Sequence, residues 1–206
     1  MHPISDPPPQ RAAIVVRHGA TEWSATGRHT GRTDIALNAQ GLAQALAIGS
    51  RLAGVRPALI LCSPRLRAQQ TAQLAGYAER AEICDDLAEW DYGDYEGLTT
   101  EAIQARRPDW SLWRSGALGG ESPAALRRRA DRVVARLRGA PGDSVVFAHG
   151  HLLRVLAARW LGRPVEVGQL LALSAGSVSV LGWEHDNPVL RLWNDVSHLV
   201  VEPVLR

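Results

Sequence analysis

Cysteine is scarce in this chain: Cys62 and Cys84 are the only two among 206 residues. They form no C-x-x-C pair, and both fall in or beside segments that read as strands. That argues against a disulfide framework or a zinc site and for buried free thiols in a reducing compartment. Long apolar runs are missing too. No stretch approaches the ~20 residues that cross a membrane, and the opening MHPISDPPPQ lacks the apolar core of a secretory leader. A cytoplasmic protein with no membrane partner is expected. Charge of one sign is not in excess, since 23 basic residues face 21 acidic ones for a net of +2. That near balance gives no general attraction to nucleic acid, so any positive focus has to be local. Repeats and low-complexity tracts are absent as well.

What is there is a chain that is 46% hydrophobic, enough to bury a full core. It reads as a flexible, proline-rich lead-in over 1–10 and a single domain over 11–206. The β-branched run Ile14-Val15-Val16 predicts a buried strand, followed by the long polar loop GATEWSATGRHTGRTDIAL. Asn38 caps a helix expected to place Leu42, Ala45, Leu46, Gly49, Leu52 and Ala53 on one face. PALILC reads as a second strand, PRLRAQQTAQLAG as a helix closing at Gly76, and Ala81 to Cys84 as a third strand.

Short helical pieces are expected from Thr99 to Trp113, interrupted by Pro108. Ser122-Pro123 starts a helix whose apolar stripe is Leu126, Ala130, Val133, Val134 and Leu137. SVVFA is a strand, LLRVLAARWLG a helix, and two late strands form a hairpin turned at HDNP. Strand–helix alternation predicts an α/β three-layer sandwich: a mainly parallel sheet flanked by helices, with a late antiparallel hairpin.

Three strands end in unusual polar clusters: Arg17-His18-Gly19, Ser63-Pro64-Arg65-Leu66-Arg67 and His149-Gly150-His151. Parallel strands separated by helices deliver their C-terminal ends to one edge of the sheet, so these clusters converge. Arginine forks suit phosphate oxygens, and the helix after Ser63 adds its dipole. The expected ligand is a phosphoryl group. H-x-H lacks a third ligand at sensible spacing, so no metal is expected. Arg127-Arg128-Arg129 reads as a solvated helix face.

The residues then carry a resemblance. RHGATEW, SPRLRAQQTA, LAEWDYGDYEG and AHGHLLR, in that order, resemble the four motifs of the histidine phosphatase superfamily, which includes phosphoglycerate mutase-like enzymes. The resemblance implies His18 as nucleophile through a phosphohistidine intermediate. It implies Arg17, Arg67 and a protonated His149 as charge stabilisers, and Glu89 as general acid and base. No cofactor is implied.

Ser24, Arg28, Thr30 and Gly31 resemble the substrate-contacting loop, while Trp90, Tyr92 and His151 are placed on the leaving-group side. Ser24 and His151 stand where mutases commonly carry asparagine, which favours a phosphatase. The narrower similarity is to small bacterial acid phosphatases and fungal-type sedoheptulose-1,7-bisphosphatases, implying a small phosphorylated metabolite, such as a sugar phosphate or bisphosphate, as partner. A phosphoglycerate mutase-type phosphotransferase is the first alternative and a non-catalytic phospho-ligand module the second. Oligomeric state is left open, a homodimer included.

Overall fold

The computed structural model describes residues 11–199. The expected lead-in therefore lies outside the described residues. In chain order the elements are β1 (Ala13–Arg17), α1 (Glu22–Ala25), α2 (Ala39–Arg51), β2 (Leu59–Cys62), α3 (Leu66–Leu74) and β3 (Glu82–Ile83). They continue with α4 (Thr100–Gln104), α5 (Leu112–Ser115), α6 (Pro123–Gly139), β4 (Ser144–Ala148), α7 (Gly150–Trp160), β5 (Val178–Glu184) and β6 (Asn187–Asp195). The sheet order is β3-β2-β4-β1-β5-β6. The first four of these strands are parallel, and β5 and β6 are antiparallel. This is the mainly parallel α/β sandwich with a late hairpin that the residue pattern predicts.

Side chains alternate across the sheet and split the core in two. Val15, Leu61 and Val146 face α6 and α7, whereas Val16, Ile60, Cys62 and Phe147 face α2 and α3. Leu152, Leu153, Val155 and Leu156 of α7 are all fully buried. Each contributes roughly 1.5–3 kcal/mol of burial, which anchors the helix whose N-terminus faces the site.

Helix starts follow the local chemistry. Asn38 accepts from Gly41 N at 2.9 Å, and Ser122 accepts from Ala125 N at 3.2 Å with Pro123 in the first turn. The α6 stripe is buried as its spacing predicts. The α2 face differs. Gly41, Ala45, Ile48 and Leu52 point inward, while Leu42 and Leu46 are 41% and 57% exposed.

The cause is a backbone contact between α2 and the end of β1. A Cβ on Gly41 would lie 2.0 Å from the Ala20 carbonyl oxygen, and one on Gly19 would lie 2.4 Å from that of Gly41. Only glycines allow this approach, and it rotates the helix so that its smallest residue faces in. The third strand is also shorter than expected, two residues at the sheet edge.

Candidate functional site

Register brings the polar clusters together. Arg17 pairs with Ala148 and Cys62 with Phe147, so the next residues, His18, His149 and Ser63, leave adjacent parallel strands at one edge. The His18 and His149 rings meet edge to face at 5.2 Å between centroids. Ser63 Oγ lies 2.6 Å from His149 Nε2.

His18 Nδ1 lies 2.7 Å from the carbonyl oxygen of Gly19. A carbonyl can only accept, so Nδ1 carries the proton and Nε2 keeps its lone pair. Burial, then Arg67 and Arg17, hold the His18 imidazole well below its ordinary titration range, so that lone pair persists into acid. His149 is pushed the same way by burial first, and then by Arg67 and His18. Burial and these neighbours thus oppose the imidazolium expected at His149.

Arg67 is completely buried, and its guanidinium donates to the carbonyls of Thr33 at 3.1 Å, Thr30 at 2.7 Å and Gly31 at 3.2 Å. Arg17 donates to the Leu173 carbonyl. Burial lowers the pKa of both arginines, with Glu89 opposing. Three buried nitrogens in this cluster, Arg17 Nε, Arg67 Nε and His149 Nδ1, have no partner among the described residues. Buried donors are rarely left unsatisfied, so these three are candidates for the oxygens of an anion; Arg17 lines the cleft, while Arg67 and His149 lie fully buried behind its wall.

Glu89 sits over the N-terminus of α7. Its Oε1 accepts from Trp90 N at 2.8 Å and Leu152 N at 2.9 Å, and its Oε2 accepts from His151 N at 3.0 Å. With one main-chain donor, Oε2 retains a lone pair for a further partner. The segment carrying Glu89 is tied down by Arg129, which donates to the carbonyls of Asp86, Ala88 and Glu89 and forms a two-pronged pair with Glu121 at 2.8 Å. The solvated face expected for the arginine run thus holds for Arg127 and Arg128, which are exposed, and fails for Arg129. Helical rotation of 100° per residue turns one member of a three-residue run inward.

The cleft, about 220 Å³, is lined by Arg17, His18, Ser24, Arg28, Thr30, Glu89, Tyr92 and His151 from the expected set. Ser24 also closes the cap of α1, exchanging hydrogen bonds with Thr21 at 2.8 and 3.1 Å. Gly31 is set back: its N–H donates to Glu96, and a Cβ would lie 2.6 Å from the Trp90 carbonyl oxygen. Trp90 is likewise behind the wall, fully buried, with its indole donating to the Glu121 carbonyl at 2.8 Å.

On the outer side Tyr92 Oη and His151 Nδ1 share a hydrogen bond of 2.7 Å. Burial, with Arg154 next, holds His151 neutral, and burial, with Glu89 next, keeps the Tyr92 phenol protonated. Gly27, His29, Thr100, Gly150, Arg154 and Leu173 also line the cleft without having been expected there, and two of them, His29 and Arg154, bring ionisable side chains. His29 packs on Tyr92 at 4.7 Å, and Arg154 stacks on Trp113 at 4.6 Å. Arg154 was findable, being one helical turn beyond His151 on the same face. His29 carried no signal beyond its place beside Arg28. Among the described residues no cluster of His, Cys, Asp or Glu could hold a metal ion.

Comparison with known proteins finds phosphatases among the relatives of this chain. The acid phosphatase of Mycobacterium tuberculosis (strain ATCC 25618 / H37Rv) is 42% identical over 176 residues, covering 84% of this chain and 86% of the relative. The sedoheptulose 1,7-bisphosphatase of Saccharomyces cerevisiae is 40% identical over 185 residues, covering 74% and 68%. A solved structure of a Mycobacterium tuberculosis open reading frame superposes with a TM-score of 0.84 at 38% identity, covering 89% of this chain and 97% of that one. The pattern of one family matches residues 13–196, and the chain belongs to it: branch 1 of the histidine phosphatase superfamily.

Proposed function

We propose that this chain is a phosphomonoesterase that hydrolyses a small phosphorylated metabolite through a phosphohistidine. The observation that carries the reading is the set of three orphaned buried nitrogens on Arg17, Arg67 and His149 beside a histidine whose Nε2 lone pair is free. A phosphoryl group seated on those donors presents phosphorus to His18. Nε2 attacks, the P–O ester bond breaks as the N–P bond forms, and the electron pair leaves on the alkoxide. Glu89 Oε2 supplies the proton that the alkoxide needs. In the second half, Glu89 takes a proton from water, whose oxygen displaces His18 and releases inorganic phosphate. The arginines and His149 stabilise charge on the equatorial oxygens throughout.

The outer wall supports a polyhydroxylated leaving group. Neutral His29, His151 and Tyr92, with Ser24, Thr30 and Thr100, offer hydroxyl-matching donors and acceptors in a cleft sized for a small molecule. The yeast relative's name points the same way. Arg28 lies at the rim without an ion pair among the described residues, so a second phosphate on the substrate is compatible with the wall. A cytoplasmic location belongs to the same reading: both cysteines are free and buried, and no described helix is long and apolar enough to cross a membrane.

The test combines phosphate release from a panel of sugar phosphates with trapping of the labelled enzyme. The wild type is expected to carry an acid-labile, base-stable phosphoryl label and His18→Ala to carry none and to lose turnover on every ester. Retention of turnover by His18→Ala would refute the mechanism. Transfer of the label to a second hydroxyl, with no free phosphate, would make the chain a mutase.

A further inference from the structure

Ser63 follows β2 directly and is fully buried, with its N–H donating to the Phe147 carbonyl at 3.0 Å. That bond continues the β2–β4 pairing by one step and sets the serine beside His149. The Ser63 hydroxyl oxygen accepts from Arg65 N at 3.2 Å, spanning Pro64, which has no N–H of its own. The same oxygen meets His149 Nε2 at 2.6 Å. His149 is the residue preceding α7, is fully buried, and leaves Nδ1 without a partner among the described residues.

A hydroxyl has one proton and two lone pairs, and here one lone pair is used by Arg65 N. If His149 carried its proton on Nε2, the serine proton would have no other bonded acceptor among the described residues. The imidazole would then turn the bare lone pair of Nδ1 towards a bound anion. With the opposite assignment the serine proton goes to Nε2 and Nδ1–H is the donor for a phosphoryl oxygen: an anion pairs every group, and before it binds one buried group, Nδ1–H, is left unpaired instead of two. An unsatisfied buried donor is expensive, so the second assignment wins.

We propose that Ser63 is a positioning residue that donates to His149 Nε2, so that His149 meets the phosphoryl group as a neutral imidazole donating from Nδ1. The proposal rests on the phosphoryl-site reading above. It differs from the imidazolium that the sequence resemblance implies. Burial beside Arg67, Arg17 and His18 favours the same neutral form. The consequence is that the anion site is complete at neutral pH without proton uptake at His149, and its third donor is fixed in direction before substrate arrives.

The experiment is nitrogen-15 NMR of the histidine-labelled full chain near pH 7, free and with inorganic phosphate, with His149 assigned from the His149→Gln spectrum. The wild type is expected to show a protonated Nδ1 and a bare Nε2 in both states. Ser63→Ala should gain an Nε2–H population and bind phosphate roughly tenfold more weakly. Ser63→Thr, which keeps the hydroxyl, should restore the wild-type tautomer. A wild-type ring protonated on Nε2 overturns the proposal, and so does a Ser63→Ala ring with an unchanged tautomer. The wild-type spectrum decides even if neither variant folds. If phosphate shifts no histidine resonance and no ester is cleaved, the phosphoryl-site reading has failed, which the tautomer measurement in the free protein distinguishes from failure of the Ser63 role.

Discussion

Lowering the pH from 6.5 to 5.5 should cost this fold a large share of its stability, because His18, His149 and His151 are all buried and held well below their ordinary value of 6.5. The direction follows from proton binding. In the unfolded chain each of these rings takes up a proton as pH falls through 6.5, whereas in the fold it stays neutral, so the unfolded state gains protons and is favoured. One such group loses about 1 kcal/mol over that single pH unit. Three lose about 3 kcal/mol, and His29, also lowered by burial, adds up to about 1 kcal/mol more.

Against a typical total of about 5–15 kcal/mol this is a shift that urea unfolding resolves easily. Midpoints at pH 6.5, 6.0 and 5.5, in phosphate-free buffer at constant ionic strength, should fall steadily with an unchanged slope on denaturant. His151→Gln, with one titrating ring fewer, should lose roughly a third of that pH dependence. The carboxylates whose pKa is lowered, Asp195 and Glu101, act only at more acid pH and leave this window clean. A midpoint that stays constant or rises between pH 6.5 and 5.5 would refute the reasoning, since it would mean that the histidines titrate normally inside the fold.

The same burial has a corollary for the proposed mechanism: kcat/KM should show no loss through the ordinary imidazole range at pH 6.5, because the His18 imidazole stays neutral, and a pH profile with an acid limb there would contradict it. Glu89→Gln should slow a sugar phosphate by about 10²–10⁴-fold and p-nitrophenyl phosphate much less, since nitrophenolate leaves without a proton. Burst kinetics check that difference, and equal slowing of the burst for both substrates would remove Glu89 from the acid role. Arg129→Gln should destabilise the fold by about 3–5 kcal/mol, because it leaves the half-buried Glu121 carboxylate unpaired and frees three carbonyls of the Glu89 segment. Chemical denaturation measures the loss, and a change below about 1 kcal/mol would place that knot among ordinary surface pairs.

Much of this protein could be read from the chain alone. The β-branched runs, the Asn38 and Ser122 caps and the spacing of the α6 stripe are local signals, governed by the dihedral preferences and hydrogen bonds of a few neighbouring residues. They determined the element order and, through strand–helix alternation, the convergence of Arg17, His18, Arg67 and His149 at one sheet edge. Tertiary structure decided what depends on contacts between distant residues. The rotation of α2 came from the Gly19–Gly41 backbone approach, which no periodicity records. Arg129 turned inward because Glu121 and three carbonyls from another segment were there to receive it. Trp90 went behind the wall, and His29 and Arg154 came into it, because the loops that carry them are placed by packing rather than by local preference. The protonation states followed last, since burial and neighbouring guanidinium groups are properties of the assembled site, and only there is a histidine next to two arginines held neutral.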